Sequence, residues 1–145
     1  MTTAETLAQP PFGPIPQPTA VSQTHWRAAE TGELAVQRCG QCLRYVFNPA
    51  TTCPYCLSTD LPWRSSCGRG VIHTMTTVHR APTPGVQTPY VVAVIELEEG
   101  WYMLSNIVEC APEKVYIGMP VSVTFLPAAA GVGLPLFKPA AEVSA

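Results

Sequence analysis

Four of the chain's six cysteines stand together in CGQCLRYVFNPATTCPYC as two C-x-x-C pairs, Cys39/Cys42 and Cys53/Cys56. Each pair can form a knuckle, a tight turn that aims two thiolates at one point. Two knuckles supply the four sulfurs of a closed tetrahedral zinc site. The ten-residue connection is shorter than the roughly 15–20 residues of the usual pattern. It still allows a hairpin-like excursion that brings the knuckles face to face. Tyr45 and Phe47 alternate along it and are expected to pack over the metal, and Pro54 stiffens the second knuckle. Zn2+ is the expected ion. Fe, which four thiolates also hold in electron carriers, is the alternative. The sequence shows no second redox group, and a small domain gains folding free energy from such a staple. Four cysteine ligands leave no open position for catalysis at the metal. Two pairs at knuckle spacing are also unlike the single C-x-x-C of thiol–disulfide enzymes.

The remaining reactive residues form no comparable pattern. Cys67 and Cys110 lie outside the cluster and read as small apolar residues. Cys67 beside Arg69, with His73 and His79 on the following strand, is the one grouping that could activate a nucleophile. His73 and His79 are expected on one face of that strand, about 20 Å apart and too far to share a metal. The chain contains no Gly-rich phosphate loop, G-x-S-x-G elbow, H-E-x-x-H or carboxylate pair.

The 145 residues suit one domain or two small ones. Charged residues make up 12% against roughly a quarter in an average domain, while apolar residues reach 47%. No apolar run approaches the ~18 residues of a membrane helix. Apolar surface that neither a bilayer nor a large core absorbs points to a partner protein. The net charge of -2 and eight scattered Lys and Arg argue against nucleic acid. A filled zinc site would add a further -2. The first residues lack the basic and apolar regions of a secretory signal, so a cytoplasmic location is expected.

The cysteines need elements to position them. Residues 1–18 carry five prolines and read as an extended arm, with Pro16 and Pro18 as candidate partner contacts. A helix is expected over 22–31, capped by Thr19 or Ser22 and ended by Gly32, with Val21, His25, Trp26 and Ala29 on one side. Trp26 is the candidate partner anchor. A short strand over 34–38 leads into the first knuckle. Strands follow over 71–79, 90–97, 101–108, 119–126 and 134–139, with 90–97 apolar enough to be covered on both faces. Five strands without a long helix fit a small barrel, the OB-fold first and an SH3-like barrel second. The barrel aromatics have no basic neighbours in sequence, unlike a single-stranded nucleic-acid platform. The expected divisions are an arm (1–18), helix and lead-in strand (19–36), ribbon (37–64), barrel (65–140) and tail (141–145).

The ordered motifs THWRAAETGELAVQRC, the paired knuckles, GRGVIHTMTTVHR, PYVVAVIELEEG, LSNIV, IGMPVSVTF and LPLFKPA cover about residues 14–140. In them the chain resembles the family once called domain of unknown function 35. The resemblance implies a mainly β protein, a rubredoxin-like zinc ribbon joined to a five-stranded OB-fold and associated with acyl-CoA. It implies a non-catalytic subunit that helps shape the acyl-CoA channel of a thiolase-superfamily enzyme: a thiolase, an acyltransferase or a retro-aldolase of steroid side chains. A subunit of a MaoC-type hydratase, a standalone acyl-CoA-binding module and a rubredoxin-like electron carrier are the alternatives. Cys39, Cys42, Cys53 and Cys56 carry over as zinc ligands, and no catalytic residue does. Arg69, His79 and Arg80 are candidate contacts to the CoA side, since basic groups near a barrel mouth can meet phosphate. The chain departs from the pattern at Leu43 and Leu57, where glycine is common after a knuckle. It also has His25-Trp26 where two aromatics are common.

Overall fold

The computed structural model describes residues 14–140. Pro10, Pro11 and the tail 141–145 lie outside the described residues, and 14–18 has neither helix nor strand. Helix α1 spans Gln23–Glu30 and buries His25 and Ala29. Neither expected capping side chain bonds a helical N–H. Instead the Thr19 N–H donates to Ser22 Oγ (2.9 Å) and the Ser22 N–H donates to Thr19 Oγ1 (3.1 Å). Gly32 takes the left-handed conformation that ends the helix, at φ +88°.

β1 (Ala35–Arg38) is the centre of a three-stranded sheet, flanked by β2 (Tyr45–Val46) and β3 (Trp63–Ser65). The two-residue period of a strand gives β1 two allegiances. Leu34, just before it, and Val36 join the core of the barrel, while buried Gln37 serves the ribbon.

The barrel closes in the order β4-β5-β6-β8-β7, from β4 (Arg69–Val78), β5 (Tyr90–Leu97), β6 (Tyr102–Ile107), β7 (Pro120–Ala129) and β8 (Val132–Pro139). β4 contacts both β5 and β7, which closes the sheet, and β6 meets β8 in parallel at Ile107 and Phe137. This is the OB arrangement. Its core includes fully buried Ile95 and Phe137, with Ile72, Val91, Leu97 and Val121 around them.

Three expectations change here. A bulge between Ile72 and Thr74 shifts the alternation of β4 by one residue. His73 falls with the exposed set, and His79, also exposed, lies just past the end of β4, so the strand does not carry both. β5 buries alternate residues, and its outer face is only half covered. β7 and β8 extend beyond the expected limits to a tight turn at Gly131 (φ +78°). Pro127, which lacks the ladder N–H, lies within β7. The strand accommodates it with an irregularity between Pro127 and Ala129.

The helix docks on β8 through Gly133. A Cβ there would lie 2.5 Å from the Ala29 carbonyl atoms, so only glycine permits the approach. Glu30 Oε2 accepts a 2.8 Å bond from the Gly131 N–H at the same contact.

Candidate metal centre

The two knuckles repeat one backbone pattern. Leu43 N–H bonds the Cys39 carbonyl (3.0 Å), and Leu57 N–H bonds the Cys53 carbonyl (2.9 Å). The Cys39 N–H returns to the Arg44 carbonyl and the Cys53 N–H to the Ser58 carbonyl. Each turn passes through the left-handed region at its leucine, φ +66° for Leu43 and +68° for Leu57. That conformation costs an L-residue roughly 1–2 kcal/mol, which glycine avoids. Both leucines are exposed, so packing within the chain does not offset the strain.

The four Sγ atoms lie within 4.8 Å of one another, with Cys39–Cys56 at 3.5 Å and Cys42–Cys53 at 3.7 Å. A tetrahedron with bonds of ~2.3 Å has edges of about 3.8 Å, so the set fits one closed four-sulfur metal site. Backbone N–H groups prepare the sulfurs. Those of Cys42 and Gln41 point at Cys39 Sγ and hold its thiol down to about 6. Burial opposes ionisation of Cys53, but the N–H groups of Cys56 and Tyr55 outweigh it and lower the thiol. The Ser58 N–H favours the Cys56 thiolate, yet burial and the three neighbouring sulfurs push that thiol up to about 11. Without a cation the four sulfurs cannot all ionise. A divalent ion supplies the missing charge and releases protons as it binds.

Tyr45 and Phe47 do not cover the sulfurs as expected. They face the barrel, where their rings meet Trp101 at 6.2 Å and 5.9 Å. Val46, between them, points the other way and packs with Cys39 and Cys53. Sequence reasoning missed Gln37. Its amide donates to the Ala50 carbonyl (2.9 Å) and accepts from the Ala50 N–H (2.8 Å), tying the inter-knuckle loop to β1. A lone polar residue within a buried strand two positions before Cys39 was its available signal.

The other candidates disperse. Arg69 is paired with Glu98 (3.3 Å), at the opposite end of β4 from exposed His79 and Arg80, so the three form no single cluster. The Cys67 thiol points at the Glu98 carboxylate (3.8 Å) and the Arg69 carbonyl (3.9 Å). Burial raises its thiol, and the Glu99 carboxylate beside it adds to the effect. His73 rests edge-on against Tyr102 at 5.0 Å. Pro16 and Trp26 line one groove of about 250 Å³, shared with Leu104 of β6 and Leu134 of β8, and Pro18 is exposed. His25 is buried with its Nδ1–H on the Ala35 carbonyl (3.1 Å). Its burial lowers the pKa against the pull of that carbonyl.

A two-knuckle metal ribbon packed on a closed OB barrel defines a zinc-ribbon/OB-fold protein. Comparison with known families narrows the class: residues 26–62 match the ChsH2 rubredoxin-like zinc ribbon domain and 63–126 the ChsH2 C-terminal OB-fold domain. A solved chain described as "Ltp2-ChsH2(DUF35) aldolase" matches with a TM-score of 0.76 and 35% identity, covering 86% of this chain and 98% of that one. The chain belongs to the ChsH2/DUF35 family of zinc-ribbon/OB-fold proteins. It is 38% identical over 115 residues to a probable enoyl-CoA hydratase alpha subunit of Thermomonospora curvata. It is 42% identical over 90 residues to a DUF35 domain-containing scaffold protein of Methanocaldococcus jannaschii. These matches cover 79% and 61% of this chain, but only 36% and 64% of those relatives. Among the described residues no helix is long and apolar enough to cross a membrane.

Proposed function

We infer that the chain is a zinc-loaded accessory subunit of a thiolase-fold enzyme acting on acyl-CoA in the cytoplasm, with retro-aldol cleavage as the reaction served. The observation that carries this reading is the similarity along 98% of the ChsH2(DUF35) chain of an aldolase. Its own residues support a non-catalytic role. The sulfurs form a closed set, and burial together with Glu99 raises the Cys67 thiol instead of activating it. The chain holds its ribbon and barrel as a shaped surface, and the large partner supplies the reacting groups. Pro16 and Trp26 present one apolar groove to that partner, with exposed Pro18 continuing the arm. Zinc is the assigned ion, because four sulfurs near tetrahedral spacing suit it and no second redox group accompanies them.

The test is co-expression with the thiolase-fold protein encoded nearest to this chain's gene, followed by purification. The expected result is a stable hetero-oligomer with one zinc per chain and aldolase activity that the partner lacks alone. Separate elution at micromolar concentration, with full activity in the partner alone, overturns the reading. The hydratase relative favours a second reading, a subunit of an enoyl-CoA hydratase. Co-purification with a MaoC-type protein and hydration of an enoyl-CoA identify that case.

A further inference from the structure

Of the eight lysines and arginines, two converge in a setting built for a ligand. Arg38, at the end of β1, and Arg44, just past the first knuckle, line a cleft of about 540 Å³ between ribbon and barrel. Ligand pockets run to about 300–1,000 Å³. Each guanidinium lies over a tyrosine ring, Arg38 at 4.9 Å from the centre of Tyr45 and Arg44 at 4.8 Å from that of Tyr55. Arg38 spends only its Nε, on the Leu43 carbonyl (2.9 Å). The Arg44 guanidinium makes no hydrogen bond among the described residues. Both therefore keep donors in hand, whereas Arg69 is spent on Glu98.

The rest of the cleft is aromatic. Tyr55 and Tyr102 stand 56% and 45% exposed at its edge. Trp101 also lines it and is 5% exposed, and its indole N–H has no acceptor among the described residues. A buried donor left unpaired calls for an acceptor. Glu99 completes the lining. Its carboxylate accepts from Ser66 Oγ (3.0 Å) and the Cys67 N–H (2.6 Å), and each oxygen retains a lone pair.

Aromatic faces accept any planar base. Guanidinium groups bind phosphate in pairs of hydrogen bonds. A carboxylate accepts from ribose hydroxyls. An aliphatic anion would leave the rings unmatched, and an uncharged ring would leave the arginines unmatched. We propose that the cleft between ribbon and barrel binds a nucleoside phosphate, its base on the tyrosines and its phosphate on Arg38 and Arg44. A free nucleotide and the nucleotide end of a CoA ester share this chemistry, and the choice of the CoA ester rests on the acyl-CoA reading above.

Calorimetric titration of the zinc-loaded full chain, without a partner, tests the proposal with ADP, CoA and pantetheine as probes. ADP and CoA are expected to bind, and pantetheine is not. Arg44→Gln, at an exposed residue, should weaken both by about tenfold with zinc content unchanged. Tyr102→Ala should weaken both by about fivefold to tenfold, and Arg69→Gln should leave them as they were. Tighter binding of CoA than of ADP assigns the site to the ester, and equal binding assigns it to free nucleotides. No heat from ADP or CoA at ~1 mM, or unchanged affinity in both the Arg44 and Tyr102 variants, overturns it. The readout needs no partner, so its failure leaves complex formation standing, and a failed co-purification leaves the titration standing.

Discussion

Around its sulfurs the ribbon buries Cys39, Val46 and Cys53, whereas the barrel buries a continuous apolar cluster running from Leu34 to Phe137. The ribbon's strands are two to four residues long and those of the barrel six to ten. A closed four-sulfur site of this kind draws its order from a bound ion, and a barrel from apolar area removed from water. The Trp101 ring, a barrel residue held between Tyr45 and Phe47, is where the two kinds of order touch.

Removing the metal should separate the regions most sharply. Structural zinc is worth about 10–16 kcal/mol in finger peptides. Chelation or Cys53→Ser should abolish amide protection across β1 to β3 while β5 and β6 stay protected in hydrogen exchange. Simultaneous loss of both would show that the Trp101 junction makes them one cooperative unit. Phe137→Ala acts on the other side of the comparison. It should cost the barrel about 3–5 kcal/mol in chemical denaturation without altering zinc stoichiometry.

A pH titration sharpens the contrast at α1, which the barrel holds through Gly133. Burial lowers the His25 pKa below its ordinary 6.5, so the folded state binds fewer protons than the unfolded one. The associated stability is complete above pH 6.5 and is lost as pH falls below it, at up to ~1.4 kcal/mol per pH unit. Denaturation of the parent and His25→Gln between about pH 7.5 and pH 5.5 should show a shallower decline in the variant, with metal content followed in parallel. The smallest effect belongs to the knuckles. Leu57→Gly relieves the left-handed strain and should stabilise the ribbon alone, by up to ~1 kcal/mol, read as slower zinc transfer to a chelator.

What could be read from sequence divides along the same line. The zinc-ligand candidates were legible because C-x-x-C is a local signal, and the barrel strands because their alternation is local. The OB topology came through the ordered family motifs. The features that escaped depend on partners far along the chain. One bulge breaks the alternation of β4 after Ile72, and no composition marks it. Tyr45 and Phe47 alternate as expected, but which face meets the barrel depends on Trp101. Gly133 reads as a turn glycine until the helix is seen lying against it. Arg38 and Arg44 look scattered in sequence because the cleft that unites them has its other wall on the turn between β5 and β6.

The contact between Glu30 and Gly131 joins residues 101 positions apart, while the outermost zinc-site cysteines are only 17 apart. A chain emerging from the ribosome can therefore close its sulfur knuckles early. The helix, made before them, lacks its main seat until β8 is complete. During that interval the Ala29 side of the helix, which Gly133 later covers, is open to whatever is nearby. This helix, synthesised before the barrel, is thus among the last elements to settle, and a partner present during synthesis meets it before β8 does.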